Sequence, residues 1–181
     1  NLGNSAIETL NGYIICGAID ANSALIKLDK SNGNQKYIRT IDNGGSDAFE
    51  NLIQSPNGFV SVGYNNAEDN TNTFFTEGSG YITFLDSSGI KTLGIGLDDY
   101  LAQAYRIVEY NSDYYISGLT ENANDYGLIK LDSLGNILWH RTFGGIASDH
   151  CFGMAIGEDE SIFFNVFNPK KFTIKKNSTI L

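Results

Sequence analysis

Apolar residues recur along the chain in short blocks. These blocks are separated by residues that favour turns. The block YIICG at residues 13–17 returns as FVSVG at 59–63, as YYISG at 114–118 and more weakly as IFFNV at 162–166. The blocks lack the apolar spacing of three and four residues that marks a helix, and Gly, Asn, Asp and Pro interrupt the chain between them, so they predict β-strands. Residues 13–16 are apolar at every position, which is typical of a strand buried on both faces.

A second phrase follows each of the first three blocks and predicts a turn. It runs from Leu28-Asp29 to Gly33, from Leu85-Asp86 to Gly89 and from Leu131-Asp132 to Gly135. An Asp at this place can accept a hydrogen bond from its own backbone two residues on, and Gly can take a positive φ. The phrase therefore predicts the link between the third and fourth strands of a repeated unit.

The interval between blocks, about 45–55 residues, indicates four stacked all-β units of four antiparallel strands each, as in the blades of a β-propeller. A parallel β-helix repeats at about half this interval or less. We predict a single domain over 1–181 with units near 1–43, 44–96, 97–143 and 144–181. The last fourth strand can only be residues 179–181, so the chain is either a complete small ring or part of a larger one. Its ends, 177–181 and 1–10, could join within one chain or between chains.

One run of residues resembles a known repeat. It extends from Gly127 through Lys130-Leu131-Asp132, Gly135-Asn136 and Trp139 to Gly144-Gly145 and Asp149. This pattern is similar to the repeat of secreted bacterial and archaeal β-propellers, and residues 44–47 (GGSD) fit it too. The resemblance implies a propeller and a cell-surface or secreted module, a group without known catalysis. The fourth unit departs from the pattern, because Lys175-Lys176 replace Leu-Asp.

Charge and composition narrow the partners of this 181-residue chain. Its net charge of −9 disfavours binding to nucleic acid or to an anionic membrane surface. No apolar stretch approaches the roughly 18 residues of a membrane span, so no membrane insertion is predicted. A surface poor in Lys and rich in Asn, Ser, Thr and Gly favours an extracellular or cell-surface location. Asn177 begins a glycosylation sequon, which matters only for a eukaryotic secreted protein, and Cys16 and Cys151 could pair or remain free.

The loops that follow the second strands are the candidate binding sites. By the repeat they open on one rim, where carboxylate and amide oxygens could hold Ca²⁺ or bond sugar hydroxyls. Their spacing matches no calcium-loop motif, and the alternative is that they are ordinary solvated turns. We predict no other cofactor. The candidate ligands are Asp20, Asn22, Glu68, Asp69, Glu121 and Asp125.

A long insert at residues 65–80 carries Phe74 and Phe75. Loops of this length are seldom kept without a role, so the two aromatic side chains are candidates for contact with a partner or a neighbouring chain. The alternative is that they anchor the loop or extend the third strand.

Catalysis has little support in the sequence. His140 and His150 are the only histidines, and no Ser or Cys lies in a nucleophile-elbow motif. We therefore expect a non-enzymatic extracellular β-propeller that acts as a structural, adhesive or self-assembling module, with protein or glycan as partner. The alternative is a lectin-like module whose binding depends on carbohydrate or Ca²⁺. A glycan hydrolase or lyase is a third hypothesis.

Overall fold

The computed structural model describes residues 1–42, 44–67, 78–120, 125–144, 151–166 and 173–174. These residues form antiparallel β-sheets, three with four strands and one with three. The predicted all-β class with antiparallel sheets of four is thereby confirmed. Within the same ranges, the chain contains no helix that is long and apolar enough to cross a membrane.

Each sheet is a simple meander in chain order. Sheet 1 contains β1 (Leu2–Thr9), β2 (Gly12–Ile19), β3 (Asn22–Asp29) and β4 (Gln35–Ile41). Sheet 2 contains β5 (Ser46–Ser55), β6 (Gly58–Ala67), β7 (Ser79–Asp86) and β8 (Lys91–Gly96). Sheet 3 contains β9 (Gln103–Tyr110), β10 (Asp113–Leu119), β11 (Tyr126–Leu131) and β12 (Ile137–Phe143). Sheet 4 contains β13 (Cys151–Ile156), β14 (Ile162–Val166) and β15 (Thr173–Ile174).

Pairing across the sheets sets the bounds of the first and last described strands. The first strand begins at Leu2, which pairs with Ala18 across the sheet. After β14, the only described strand is Thr173–Ile174, which pairs with the start of β14. The strand predicted over 179–181 lies outside the described residues.

The Leu-Asp turns connect the third and fourth strands as predicted. Asp86 Oδ1 accepts hydrogen bonds from the backbone N–H groups of Ser88 at 2.8 Å and Ile90 at 2.9 Å. Asp132 accepts equivalent bonds, both at 2.9 Å, from residues 134 and 136. The glycines that follow, Gly89 and Gly135, have φ of 76° and 88°. This turn therefore supplies its own hydrogen-bond acceptor and places Gly where a left-handed backbone is needed.

Consecutive sheets pack face to face. We call the face of a sheet that is turned toward the preceding sheet its near face, and the opposite one its far face. The far face of sheet 1 packs on the near face of sheet 2 through Ile14, Cys16, Leu25, Phe49, Leu52, Phe59 and Leu85. Sheets 2 and 3 meet through a cluster that includes Val60, Val62, Ile82, Ile107, Tyr114 and Ile116. Sheets 3 and 4 meet through Tyr115, Tyr126, Leu128, Cys151, Met154, Ile162 and Phe164.

A one-residue irregularity recurs in the first strand of every sheet. The register shifts across Asn4, Glu50, Tyr105 and Phe152. In the first three sheets the glycine of the repeated block lies opposite this bulge, at Gly17, Gly63 and Gly118. A Cβ on Gly63 would lie 1.9 Å from the carbonyl oxygen of Ala48, and the other two positions are equally crowded. The repeated glycine is thus required because the two backbones approach too closely for any side chain.

Replacement of Gly63 by Ala should destabilise the protein by at least about 2 kcal/mol, because β5 and β6 must separate to admit the methyl group. Gly3→Ala is the matched control, since a Cβ there meets only Ile15 Cγ2, at 3.7 Å. Urea unfolding of the two variants measures the difference. Equal unfolding midpoints would contradict the close approach.

Replacement of Asp86 by Ala should cost about 1 kcal/mol, because two backbone N–H groups lose their acceptor. Asp86→Asn keeps an acceptor oxygen at the same place and should recover most of the loss. Thermal unfolding of the pair tests whether the acceptor, rather than the charge, holds the turn.

Candidate functional site

Asp20 and Asn22, two of the predicted rim ligands, lie together in the hairpin between β2 and β3. Asp20 and Ala21 have φ of 50° and 63°, the left-handed pair of a tight hairpin turn. Asn22 Nδ2 donates to the carbonyl oxygen of Asp20 at 3.2 Å, and the backbone N–H of Asp20 donates to Asn1 Oδ1 at 3.2 Å. The Asp20 carboxylate itself is exposed. These bonds give both residues a role in shaping the turn.

Sheet 2 contains a matching hydrogen bond between its first strand and a left-handed residue of its second strand. The buried Asp47 accepts a hydrogen bond at Oδ1 from the backbone N–H of Asn66, at 3.0 Å. Asn66 has φ of 54° and follows Gly63 by the same interval as Asp20 follows Gly17. In both sheets a side-chain oxygen near the start of the first strand therefore holds a left-handed residue near the end of the second.

Asp125, the third rim ligand within the described residues, is half-buried in sheet 3 just before β11. Its carbonyl oxygen accepts two hydrogen bonds from Thr120, from the backbone N–H at 2.9 Å and from Oγ1 at 3.0 Å. These bonds close the link between β10 and β11 and place Asp125 in a different sheet from Asp20.

The remaining predicted site residues lie outside the described residues: Glu68, Asp69, Phe74, Phe75, Glu121 and Asn177. Among the residues that the structure does describe, no three His, Cys, Asp or Glu side chains come together to hold a metal ion. Several of the candidate ligands lie outside the described residues, so the predicted Ca²⁺ site stays a prediction.

The bulge residues form a row along one side of the stacked sheets, which the sequence pattern did not reveal. Asn4 Nδ2 donates to the carbonyl oxygen of Phe49, the neighbour of Glu50, at 2.9 Å. The charge of Glu50 acts on Tyr105, and the Tyr105 ring lies 5.3 Å from that of Phe152. The signal that could have found this row is the glycine of each block, because a bulge often accompanies a strand glycine.

Glu50 is the acidic member of this row. Burial raises the pKa of its carboxyl from the ordinary 4.5 to about 7. Its charge in turn contributes to the raised pKa values of Cys16 and Tyr105, although their own burial is the larger cause. The row therefore holds a carboxyl group that exchanges its proton near neutral pH.

Asn51, beside Glu50, binds three sheets together. Its Nδ2 donates to Ser5 Oγ at 2.9 Å in sheet 1, and its Oδ1 accepts the backbone N–H of Ile107 at 3.2 Å in sheet 3. Ser61 Oγ donates to its carbonyl oxygen at 2.8 Å. Asn51 is 4% exposed, so these bonds satisfy a polar group that would otherwise be costly to bury.

The thiol and phenol beside Glu50 are poor nucleophiles. Burial raises the pKa of the Cys16 thiol to about 12, and burial also raises that of Tyr105. Both groups stay protonated at neutral pH, whereas a nucleophilic thiol needs a lowered pKa. Cys16 and Cys151 are buried free thiols in sheets 1 and 4, which answers the question that the sequence left open. The arrangement is suited to packing and to proton uptake by Glu50.

The near face of sheet 1 is the other notable surface. It borders an open groove of about 460 Å³ lined by Leu2, Ile15, Ile19, Ala24, Ile26 and Ile38 among others. Tyr13 and Ile38, which lie on this face, are 38% and 40% exposed. We call this surface the open face of sheet 1.

In comparisons with known proteins, no protein-family model matches this chain, and no curated protein matches it either.

Protonation of Glu50 should make folding depend on pH. The folded-state pKa lies above the unfolded one, so the wild-type free energy of unfolding should fall as the pH rises from about 4.5 to about 7. Glu50→Gln should abolish this part of the pH dependence. At pH 8 it should be more stable than the wild type, by an amount on the order of 3 kcal/mol at most.

The control is Glu109→Gln, because Glu109 is exposed on β9. Its unfolding free energy should follow the wild-type pH profile. Coincident profiles for the Glu50 variant and the wild type would show that Glu50 ionises normally in the folded protein.

Proposed function

We propose that the four sheets are blades of a β-propeller and that the chain is a non-enzymatic, extracellular structural or adhesive module that works by self-assembly. The observation that carries this proposal is the open face of sheet 1. Apolar side chains line its groove, and Tyr13 and Ile38 on this face are more than a third exposed. Burial of such a surface is favourable at roughly 25 cal/mol per Å², so a protein partner is its natural cover.

The propeller interpretation is supported by the repeated geometry. Each sheet is a meander, consecutive sheets pack face to face, and the first-strand bulge recurs in all four. The chemistry beside Glu50 supports a non-catalytic role, because Cys16 and Tyr105 are neutral at working pH. The extracellular location rests on composition and on the resemblance to secreted propeller repeats.

Light scattering over about 1 to about 200 µM protein should give a mass that rises above the 19.8 kDa of one chain. The association should strengthen from about 0.05 M to about 0.5 M NaCl, because copies that each carry −9 repel one another less when salt screens them. Negative-stain images should show discrete rings or fibres. A 19.8 kDa particle under every condition would refute self-assembly.

A further inference from the structure

We propose that the open face of sheet 1 binds the far face of sheet 4 in a second copy of this chain. The inference rests on the proposed function and names the partner and both surfaces. It follows from the repeat, because Tyr13 and Leu28 of sheet 1 have counterparts in the other sheets whose covering surface is known.

The counterparts of Tyr13 are all buried. Tyr13 opens the block of β2 and is 38% exposed, whereas Phe59, Tyr114 and Ile162 at the same block position are 5%, 6% and 5% exposed. Each of these three lies on the near face of its sheet and is covered by the far face of the preceding sheet.

The third strands repeat this difference. Leu28 is half-buried, whereas its counterparts Leu85 and Leu131 are 3% and 0% exposed. The open face of sheet 1 thus has the side chains of a near face that is normally buried, but no preceding sheet in the described part of the chain packs on it.

Sheet 4 offers the surface that provides such a cover. On the far faces of the first three sheets, the second block position holds Ile14, Val60 and Tyr115, which are 0%, 0% and 7% exposed. In sheet 4 the same position is Phe163, which is 48% exposed. One chain therefore carries both halves of the repeated sheet-to-sheet contact, one at each end of its stack.

The contacts between sheets within one chain also predict the register of the proposed contact between two copies. Between sheets 3 and 4, Cys151 Sγ lies 3.8 Å from Ser117 Oγ. In sheet 1 the counterpart of Cys151 is Gly3, because each of these residues directly precedes the bulge. In sheet 4 the counterpart of Ser117 is Asn165, because each is the fourth residue of its block. Gly3 and Asn165 are both exposed. The proposed contact should therefore bring Asn165 of one copy against Gly3 of the next.

The resulting assembly is head-to-tail. Each copy has one face of each kind, so the contact is heterologous and either closes as a ring or continues as a fibre. Close apolar contact can outweigh the repulsion between chains of charge −9, because salt at 0.15 M screens charges beyond about 8 Å.

Cysteine cross-linking between copies tests the pairing. Gly3→Cys chains are mixed with Asn165→Cys chains under a mild oxidant, and the disulfide-linked products are identified by mass. A Cβ at Gly3 meets only Ile15 Cγ2, at 3.7 Å, so the substitution fits the fold. We expect at least about tenfold more mixed dimer than from Gly3→Cys with Ser31→Cys, a control on an exposed turn. The wild type, with Cys16 and Cys151 buried, gives the background.

A second pair of variants needs no disulfide. Ile38→Lys places a charge on the open face, at a side chain that is 40% exposed, and should shift the mass toward that of one chain. Leu134→Lys changes a side chain that is 74% exposed on the β11–β12 turn and should leave the assembly unchanged.

Two results would overturn the inference. One is a mixed-dimer yield equal to that of the control pair. The other is an efficient disulfide within single, monomeric chains that carry both Gly3→Cys and Asn165→Cys, because the two faces would then meet in one chain. If the wild type still forms oligomers in either case, the proposed function stands and only the interface is wrong. If it is monomeric throughout, both fail.

Discussion

The need to cover apolar strands on both faces is the constraint on which this structure depends. A second strand such as β6 is apolar on both sides, with Phe59 on its near face and Val60 on its far face. No single sheet can bury such a strand, so each sheet requires a neighbour on either side. Stacking buries both faces of sheets 2 and 3. Among the described residues, it leaves the near face of sheet 1 and the far face of sheet 4 uncovered, where Tyr13 and Phe163 are exposed. In the proposed assembly, these two uncovered faces would cover each other between copies of the chain.

The close approach of the first two strands adds a second constraint. The repeated glycine at 17, 63 and 118 admits the bulge. Two bulge residues contact the next sheet: Asn4 bonds to the carbonyl oxygen of Phe49, and the Tyr105 ring lies beside that of Phe152. At Glu50 this geometry carries a carboxyl group into the stack, where burial raises its pKa to about 7. The same geometry lets Asn51 bond to sheets 1 and 3. Backbone crowding thus determines where the buried polar groups lie.

The sequence predicted the features that depend on local patterns. The recurring blocks gave the strands, and the Asp86 and Asp132 turns formed as their spacing indicates. Exposure of Tyr13 could not be predicted, because YIICG is the same kind of block as the buried FVSVG and only the presence of a neighbouring sheet distinguishes them. The raised pKa of Glu50 was missed because the sequence does not show the bulge at which its half-buried carboxyl group lies. For Asp20 the loop composition predicted a ligand, which stays a prediction, and the structure adds that its backbone conformation and hydrogen bonds shape a turn.

Hydroxyl-radical footprinting of the unmodified chain, over a range of concentrations, tests the central claim most directly. Tyr13 and Phe163 should be reactive at low concentration and should lose reactivity together as the particle mass rises. Phe59 should stay protected and Leu134 reactive throughout, as their burial and exposure require. Protection of Tyr13 in the monomer, or undiminished reactivity of Tyr13 in the oligomer, would contradict the account.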